Sequence, residues 1–124
     1  MQDIKNTLDF VQSLPSAARI ATANGTGVDT VNYNASAVIF EAGVVTDGTH
    51  TPTVTESDDN VTFTAVAAGD LIGTLANMVS NTVQKVGYMG RKRYIRANYT
   101  VAGATTGAVT SALVIGGNAR RQPL

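Results

Sequence analysis

The 124-residue chain contains no cysteine and no tryptophan, and it has a single histidine, His50. Without cysteine the chain has no disulfide, no zinc–thiolate site and no cysteine nucleophile. His50 follows a predicted turn directly, and we expect it to be an exposed loop residue. We find no Ser/His/Asp order, phosphate-binding loop, dinucleotide-binding fingerprint or paired-histidine metal motif. These absences predict a protein that is not an enzyme and that needs no cofactor.

Long apolar runs are also missing. The first ten residues carry acidic side chains and do not resemble a signal peptide, and no segment reaches the roughly 18 apolar residues that a membrane-spanning helix needs. We therefore expect a protein that has no contact with a membrane and is not secreted by the cell that makes it.

Acidic residues are absent from the chain after Asp70. All nine lie at or before Asp70, together with Lys5 and Arg19, whereas seven basic residues and no acid follow. Strands from the two halves of a β fold interleave, which would mix these charges in space. Alternatively, the asymmetry creates a bipolar surface on which the acidic patch of one copy meets the basic patch of another.

Thr, Val, Ala and Gly dominate the composition, and they favour strands and turns. Seven or eight short segments separated by turn-forming residues predict an antiparallel β-sandwich, jelly-roll-like in type. One domain is expected from the length. The predicted organisation is an N-terminal arm or short helix at 1–16, the sandwich at 17–117 and a basic tail at 118–124.

Two meanders are expected within the sandwich. The first joins strands at 36–45, 50–56 and 61–66, with a hairpin at the Asp-Gly turn of 46–49. Val61, Phe63 and Ala65 are expected to share one face of the third strand. The segment 67–81 should cross between the two sheets. The second meander joins strands that are predicted at 82–89, 93–101 and 107–116.

The N-terminal segment has two interpretations. Ile4, Leu8 and Val11 recur at helical spacing, and Pro15 would end such a helix. So short a helix is marginal by itself, and an extended arm fits the residues equally well. Either form can reach a neighbouring molecule, which makes the three apolar residues candidates for a protein interface.

The stretch "GYMGRKRYIRANYTV" (87–101) concentrates basic and tyrosine residues. As a strand it directs Ile95, Ala97, Tyr99 and Val101 to the core and the residues between them outward. The basic cluster then divides into a charged turn and one strand face, which favours protein contact over direct nucleic-acid binding. The interface candidates here are Arg91, Lys92, Arg93, Tyr94 and Arg96. The tail "NARRQPL" adds Arg120 and Arg121.

The segment "ESDDN" (56–60) is the one candidate cation site, with Asp58 and Asp59 as weak candidate ligands. It lacks the spacing and the distal glutamate of an EF-hand loop. The alternative is a turn in which Asp and Asn side chains accept hydrogen bonds from nearby backbone groups. No metal is expected.

Two segments, "GTHTPTVTESDDNVTFTAVAAGDLIGT" and "VGYMGRKRYIRANYTVAGATTGAVTSALVIGGNAR", carry a family resemblance. They resemble small virion proteins of tailed bacteriophages over roughly 28–120. The matching positions are 56–59, Phe63, Tyr88, Gly90, 92–96 and 107–109. Pro52 departs from the pattern where a strand-forming residue is expected, and proline confines its strand to an edge or a start.

The resemblance implies a capsid decoration (cement) protein, which stabilises the capsid lattice from the virion surface. Its partners would be the major capsid protein and copies of itself. The alternatives are a head–tail joining or tail component, or a carbohydrate-binding module. The carbohydrate alternative would use Tyr88 and Tyr94 as a sugar platform.

Overall fold

The computed structural model describes residues 3–119. Its strands are β1 Leu8–Arg19, β2 Ala23–Asn24, β3 Val28–Asp29, β4 Tyr33–Val45, β5 Thr49–Ser57, β6 Thr64–Ala65, β7 Leu71–Ile72, β8 Thr82–Tyr88, β9 Tyr94–Ala102 and β10 Ala108–Ala119. A single 3-10 turn at Ala68–Asp70 precedes β7. Within residues 3–119, no helix has the length and apolar character that crossing a membrane requires.

The strands form two antiparallel sheets that pack against each other. Sheet 1 has the order β1-β10-β4-β8-β7. Sheet 2 has the order β2-β9-β5-β6, and β3 also pairs with β9. The predicted all-β antiparallel sandwich is therefore confirmed.

Both predicted meanders are wrong, because consecutive long strands alternate between the sheets. β4 belongs to sheet 1 and β5 to sheet 2, and β9 lies in sheet 2 between β8 and β10 of sheet 1 in chain order. The Asp-Gly turn crosses between sheets. The Asp47 carboxylate accepts hydrogen bonds from the backbone N–H groups of Thr105, Thr106 and Gly107. A turn signal predicts that the chain reverses, but it does not identify the strand's partner.

The segment 67–81 crosses between the sheets, as predicted. It contains the 3-10 turn and connects β6 of sheet 2 with β7 and β8 of sheet 1. The strand before it is much shorter than expected, because only Thr64 and Ala65 pair with β5. Val61 is 80% exposed and Ala65 is also exposed, and Val61 and Phe63 lie before the two paired residues of this strand.

The N-terminal prediction of a helix or a separate arm is wrong for residues 8–16. They belong to β1, which pairs with β10 along sheet 1. Register shifts between Gln12 and Leu14 and between Leu14 and Ala17 interrupt the alternation of this strand. Leu8 and Val11 lie before these shifts and on opposite faces of the strand, and their spacing of three residues also fits a helix.

Side chains from both sheets form the core. The rings of Phe40 in sheet 1 and Tyr99 in sheet 2 meet edge to face, with centroids 5.5 Å apart. On β9 the predicted inward residues Ile95, Ala97 and Tyr99 are fully buried, and Val101 packs against the core. Asn98 is also buried although it points outward, and its amide donates to Thr55 Oγ1.

The position of His50 in β5 differs from the expected one. His50 is only 1% exposed, because β5 begins at Thr49 and the imidazole lies inside the strand's buried face. Its Nε2 donates to the Asp47 carbonyl oxygen at 3.0 Å. The histidine is therefore not an exposed loop residue.

Pro52 pairs in register with Tyr99, while β6 on the other side of β5 reaches only Thr55 and Glu56. The proline thus occupies an edge position.

The Tyr99 hydroxyl provides a test of contact between the sheets. It donates to the carbonyl oxygen of Ser111 in sheet 1 at 2.8 Å. We expect Tyr99→Phe to lower the free energy of unfolding by about 1 kcal/mol, the usual net contribution of one hydrogen bond. Urea denaturation measures this change. Tyr94→Phe, on the outward face of the same strand, is the matched control and should change stability by less than about 0.5 kcal/mol. Equal effects of the two substitutions would contradict the assignment.

Candidate protein-binding site

The basic turn, defined as Gly90–Arg93, is held by acidic residues from the first half of the chain. Lys92 Nζ lies 2.6 Å from Asp58 Oδ2. Arg93 binds the Asp29 carboxylate with two hydrogen bonds, of 3.0 and 2.7 Å. These pairs lower the pKa of Asp29 and raise those of Lys92 and Arg93. The arrangement favours the interpretation in which the two halves of the chain mix their charges within one molecule.

Strand register explains why Arg93 meets Asp29. Asp29 of β3 pairs with Tyr94, the first residue of β9. The Thr30 backbone N–H and hydroxyl both donate to the Arg93 carbonyl oxygen. Exposed ion pairs add little to stability. Their effect here is to fix the path of the turn and to leave less free positive charge on this surface.

Arg96 and Phe63 together cover part of the outer face of sheet 2. The Arg96 guanidinium lies 4.0 Å from the centroid of the Phe63 ring, and its Nε donates to Thr55 Oγ1. This cation–π contact holds the side chain over its own sheet. Arg96, a predicted interface residue, therefore has its guanidinium engaged within the molecule.

The two tyrosines suggested as a sugar platform lie in different environments. Tyr88 is buried, and its hydroxyl donates to Glu56 Oε2 at 2.6 Å and accepts from the Lys92 backbone N–H. Burial and the Glu56 hydrogen bond raise the pKa of Tyr88. Tyr94 is half-buried, with the Arg93 guanidinium 5.2 Å from its ring centroid. A platform built from both rings is therefore wrong.

A polar cleft lies where the basic turn meets the 30–34 segment, and we call it the end cleft. Its volume is about 360 Å³, and its lining is Thr30, Val31, Tyr33, Asn34 and residues 90–93. Arg91 is exposed and forms neither of the two ion pairs described above. Val31 is 52% exposed, and Met89, next to Gly90 in the chain, is 64% exposed.

Packing fixes the walls of the end cleft. The Tyr33 ring lies so close to Gly116 that a Cβ there would come within 2.4 Å of the ring. The Tyr33 hydroxyl donates to the Asp9 carboxylate, and burial together with this bond raises the pKa of Tyr33 to about 12. Gly90 lies similarly close to Tyr88, because a Cβ at Gly90 would come within 2.3 Å of the Tyr88 hydroxyl oxygen. The cleft is thus preformed.

Asp58 and Asp59 are used within the protein. Asp59 accepts hydrogen bonds from Ser57 Oγ and from the backbone N–H groups of Val61 and Thr62, which together lower its pKa to about 2. Asp58 pairs with Lys92. Among the described residues, no three His, Asp or Glu side chains lie together as metal ligands would. The geometry is that of a side-chain-stabilised turn.

The remaining interface candidates do not form one surface. Ile4 is 60% exposed, Leu8 is half-buried, and Val11 packs against the core. Leu8 and Val11 pair with Gly117 and Val114, on opposite faces of β10. Arg120 and Arg121 lie outside the described residues.

Sequence reasoning missed Val31, Tyr33 and Met89. β4 begins at Tyr33, three residues before its predicted start, and Val31 lies just ahead of it. Met89 was assigned to the predicted strand 82–89, but β8 ends at Tyr88.

Neither a family model nor a curated protein sequence matches this chain.

The Asp59 turn predicts a pH-dependent stability. The folded-state pKa lies below the ordinary value of 3.8, so ionised Asp59 stabilises the fold above about pH 4, and that stabilisation is lost as the pH falls toward 2. We expect Asp59→Asn to be less stable than the unsubstituted protein at pH 7, with the difference shrinking in acid. Urea unfolding between pH 7 and pH 2 measures it.

The control for this prediction is Asp58→Asn, which removes only an exposed ion pair and should change stability less. Calcium at about 1 mM, a concentration that fills weak extracellular-type sites, should leave the unfolding midpoint unchanged. A calcium-dependent increase that Asp59→Asn abolishes would contradict the turn interpretation.

Proposed function

We propose that this protein is a non-enzymatic structural protein of a phage virion, a decoration (cement) protein that binds and stabilises the capsid lattice. The observation that carries the proposal is the end cleft. It brings Arg91 and Tyr33 together with exposed Val31, and exposed Met89 adjoins Gly90 of its lining in the chain. Arg, Tyr and Met are enriched at the centres of protein interfaces. The sequence resemblance to small virion proteins supports the same conclusion.

The mechanism follows from binding linkage. A protein that binds the assembled shell more tightly than its separated subunits stabilises the shell by mass action. Many identical contacts around one particle multiply that effect. Because the walls of the end cleft are fixed by packing at Gly90 and Gly116, little conformational entropy is lost on binding. A preformed cleft on a rigid sandwich suits this role.

Charge favours a protein partner over nucleic acid. Lys92 and Arg93 are neutralised by Asp58 and Asp29, and the chain has no net charge. A nucleic-acid-binding surface needs a positive field that survives summation over the domain. Under this proposal the protein is made in the host cytoplasm and works on the capsid surface.

Rebinding to capsids tests the proposal. Purified protein, added to shells from which it has been stripped, should bind saturably and raise the temperature at which the shells disassemble. Met89→Asp should weaken binding about tenfold or more, because a charge would replace an exposed apolar side chain next to the end cleft. Arg91→Glu should act in the same direction. Binding is measured by co-sedimentation and shell stability by light scattering.

Val79→Asp is the matched control. Val79 and Met89 are both 64% exposed and flank opposite ends of β8. The control variant should bind shells like the unsubstituted protein. Equal losses for the two variants, or shells of unchanged stability after rebinding, would contradict the proposed function.

A further inference from the structure

The outward face of sheet 1 carries one row of apolar and glycine residues across all five strands. Strand register aligns Phe10, Ile115, Ala37, Gly87 and Ile72 in this row. The next row contains Leu113 and Ile39 between Gln12 and Lys85, and the row after it contains Ser111, Glu41 and Val83. Phe10, Ile72 and Val83 are 53%, 59% and 63% exposed. We call this surface the sheet 1 face.

Sheet 2 provides an internal comparison. Its outward positions on β5 are Thr51, Thr53 and Thr55, and those on β9 include Arg96 and Thr100. That is the ordinary pattern of a solvated antiparallel sheet, with polar residues outside. The sheet 1 face departs from it, and a continuous exposed apolar surface indicates a binding surface.

We propose that the sheet 1 face binds the same face of a second copy of this chain, in a two-fold symmetric dimer. The charges on the face support this partner. Glu41 and Lys85 lie on it, both exposed, on neighbouring strands: Glu41 pairs with Val83, and Lys85 pairs with Ile39. Neither residue takes part in the two ion pairs within the described residues.

One acid and one base make the face self-complementary, because the other polar residues in these rows, Gln12 and Ser111, are uncharged. A two-fold axis that passes between Glu41 and Lys85 places Glu41 of each copy opposite Lys85 of the other copy. In a symmetric dimer every such contact occurs twice. A partner whose contact surface carries charges of only one sign would leave either Glu41 or Lys85 unpaired or facing a like charge.

The size of the face fits a modest dimer. Strands about 4.8 Å apart, with outward residues about 6.8 Å apart along each strand, give a footprint of about 500 Å² for five strands and three rows. Two copies would bury about 1,000 Å², near the lower limit of specific interfaces. Association should therefore depend on concentration. The proposal uses different residues from the end cleft, so either can fail without the other.

Sedimentation equilibrium of the full chain tests the dimer. At about 0.5 mM, a concentration suited to a small interface, the mass should approach twice the 12.8 kDa of one chain, and it should fall on dilution. Val83→Lys should weaken association about tenfold or more, because a charge would face the partner's apolar surface. Val61→Lys, at an exposed valine on another surface, should leave it unchanged.

Charge reversal tests the symmetric pairing. Glu41→Lys alone and Lys85→Glu alone should each weaken the dimer about tenfold, since like charges then face each other twice. The double variant should restore association. Circular dichroism and urea unfolding establish that each variant is folded.

Three outcomes would overturn the proposal. The first is a monomer of 12.8 kDa at every concentration. The second is association that Val83→Lys leaves intact, or single and double reversals that behave alike. The third is Val83→Lys losing capsid binding while association is unchanged, which would assign the face to the lattice. Loss of lattice binding on Met89→Asp bears only on the proposed function, because Met89 is not part of this face.

Discussion

The structure depends on the layer of side chains between two sheets that the chain joins repeatedly. The long strands β4, β5, β8, β9 and β10 alternate between the sheets in chain order, so no two that are consecutive among these five pair with each other as a hairpin. The burial of Phe40 against Tyr99, and of their apolar neighbours from both sheets, holds the sandwich together instead. Such a layer contributes most of the stabilising free energy, and the ladders within each sheet satisfy the backbone.

The alternation of apolar and polar residues predicted which side chains of a strand point into this layer. It did not predict which strands pair with each other. The inward residues of β9 were identified correctly, since a strand paired on both sides without bulges keeps its period of two. β1 was missed, because Leu8 and Val11 are three residues apart, a spacing that also fits a helix, although they lie on opposite faces of the strand. His50 was placed outside since a turn precedes it, although the strand begins one residue earlier. Pairing partners depend on distant residues, and no local pattern contains them.

The binding surfaces were predictable only in part. Sequence identified the basic turn, but not that Asp58 and Asp29, each more than thirty positions away, neutralise two of its residues. Those contacts arise from the register of β3 and β5 with β9. The sheet 1 face was missed for a related reason. Its rows combine residues from five strands, and each strand alone shows only a few apolar outward positions.

Together, the end cleft and the sheet 1 face give this small sandwich two proposed binding surfaces, which would suit repeated attachment to a lattice. The proposed role as a structural component of a shell is tested most sharply by quantitative mass spectrometry of purified virions. A decoration protein should be present at on the order of hundreds of copies per particle, as lattice-wide binding requires. A handful of copies would indicate a joining or tail component instead, and absence from the particle would contradict the proposed function.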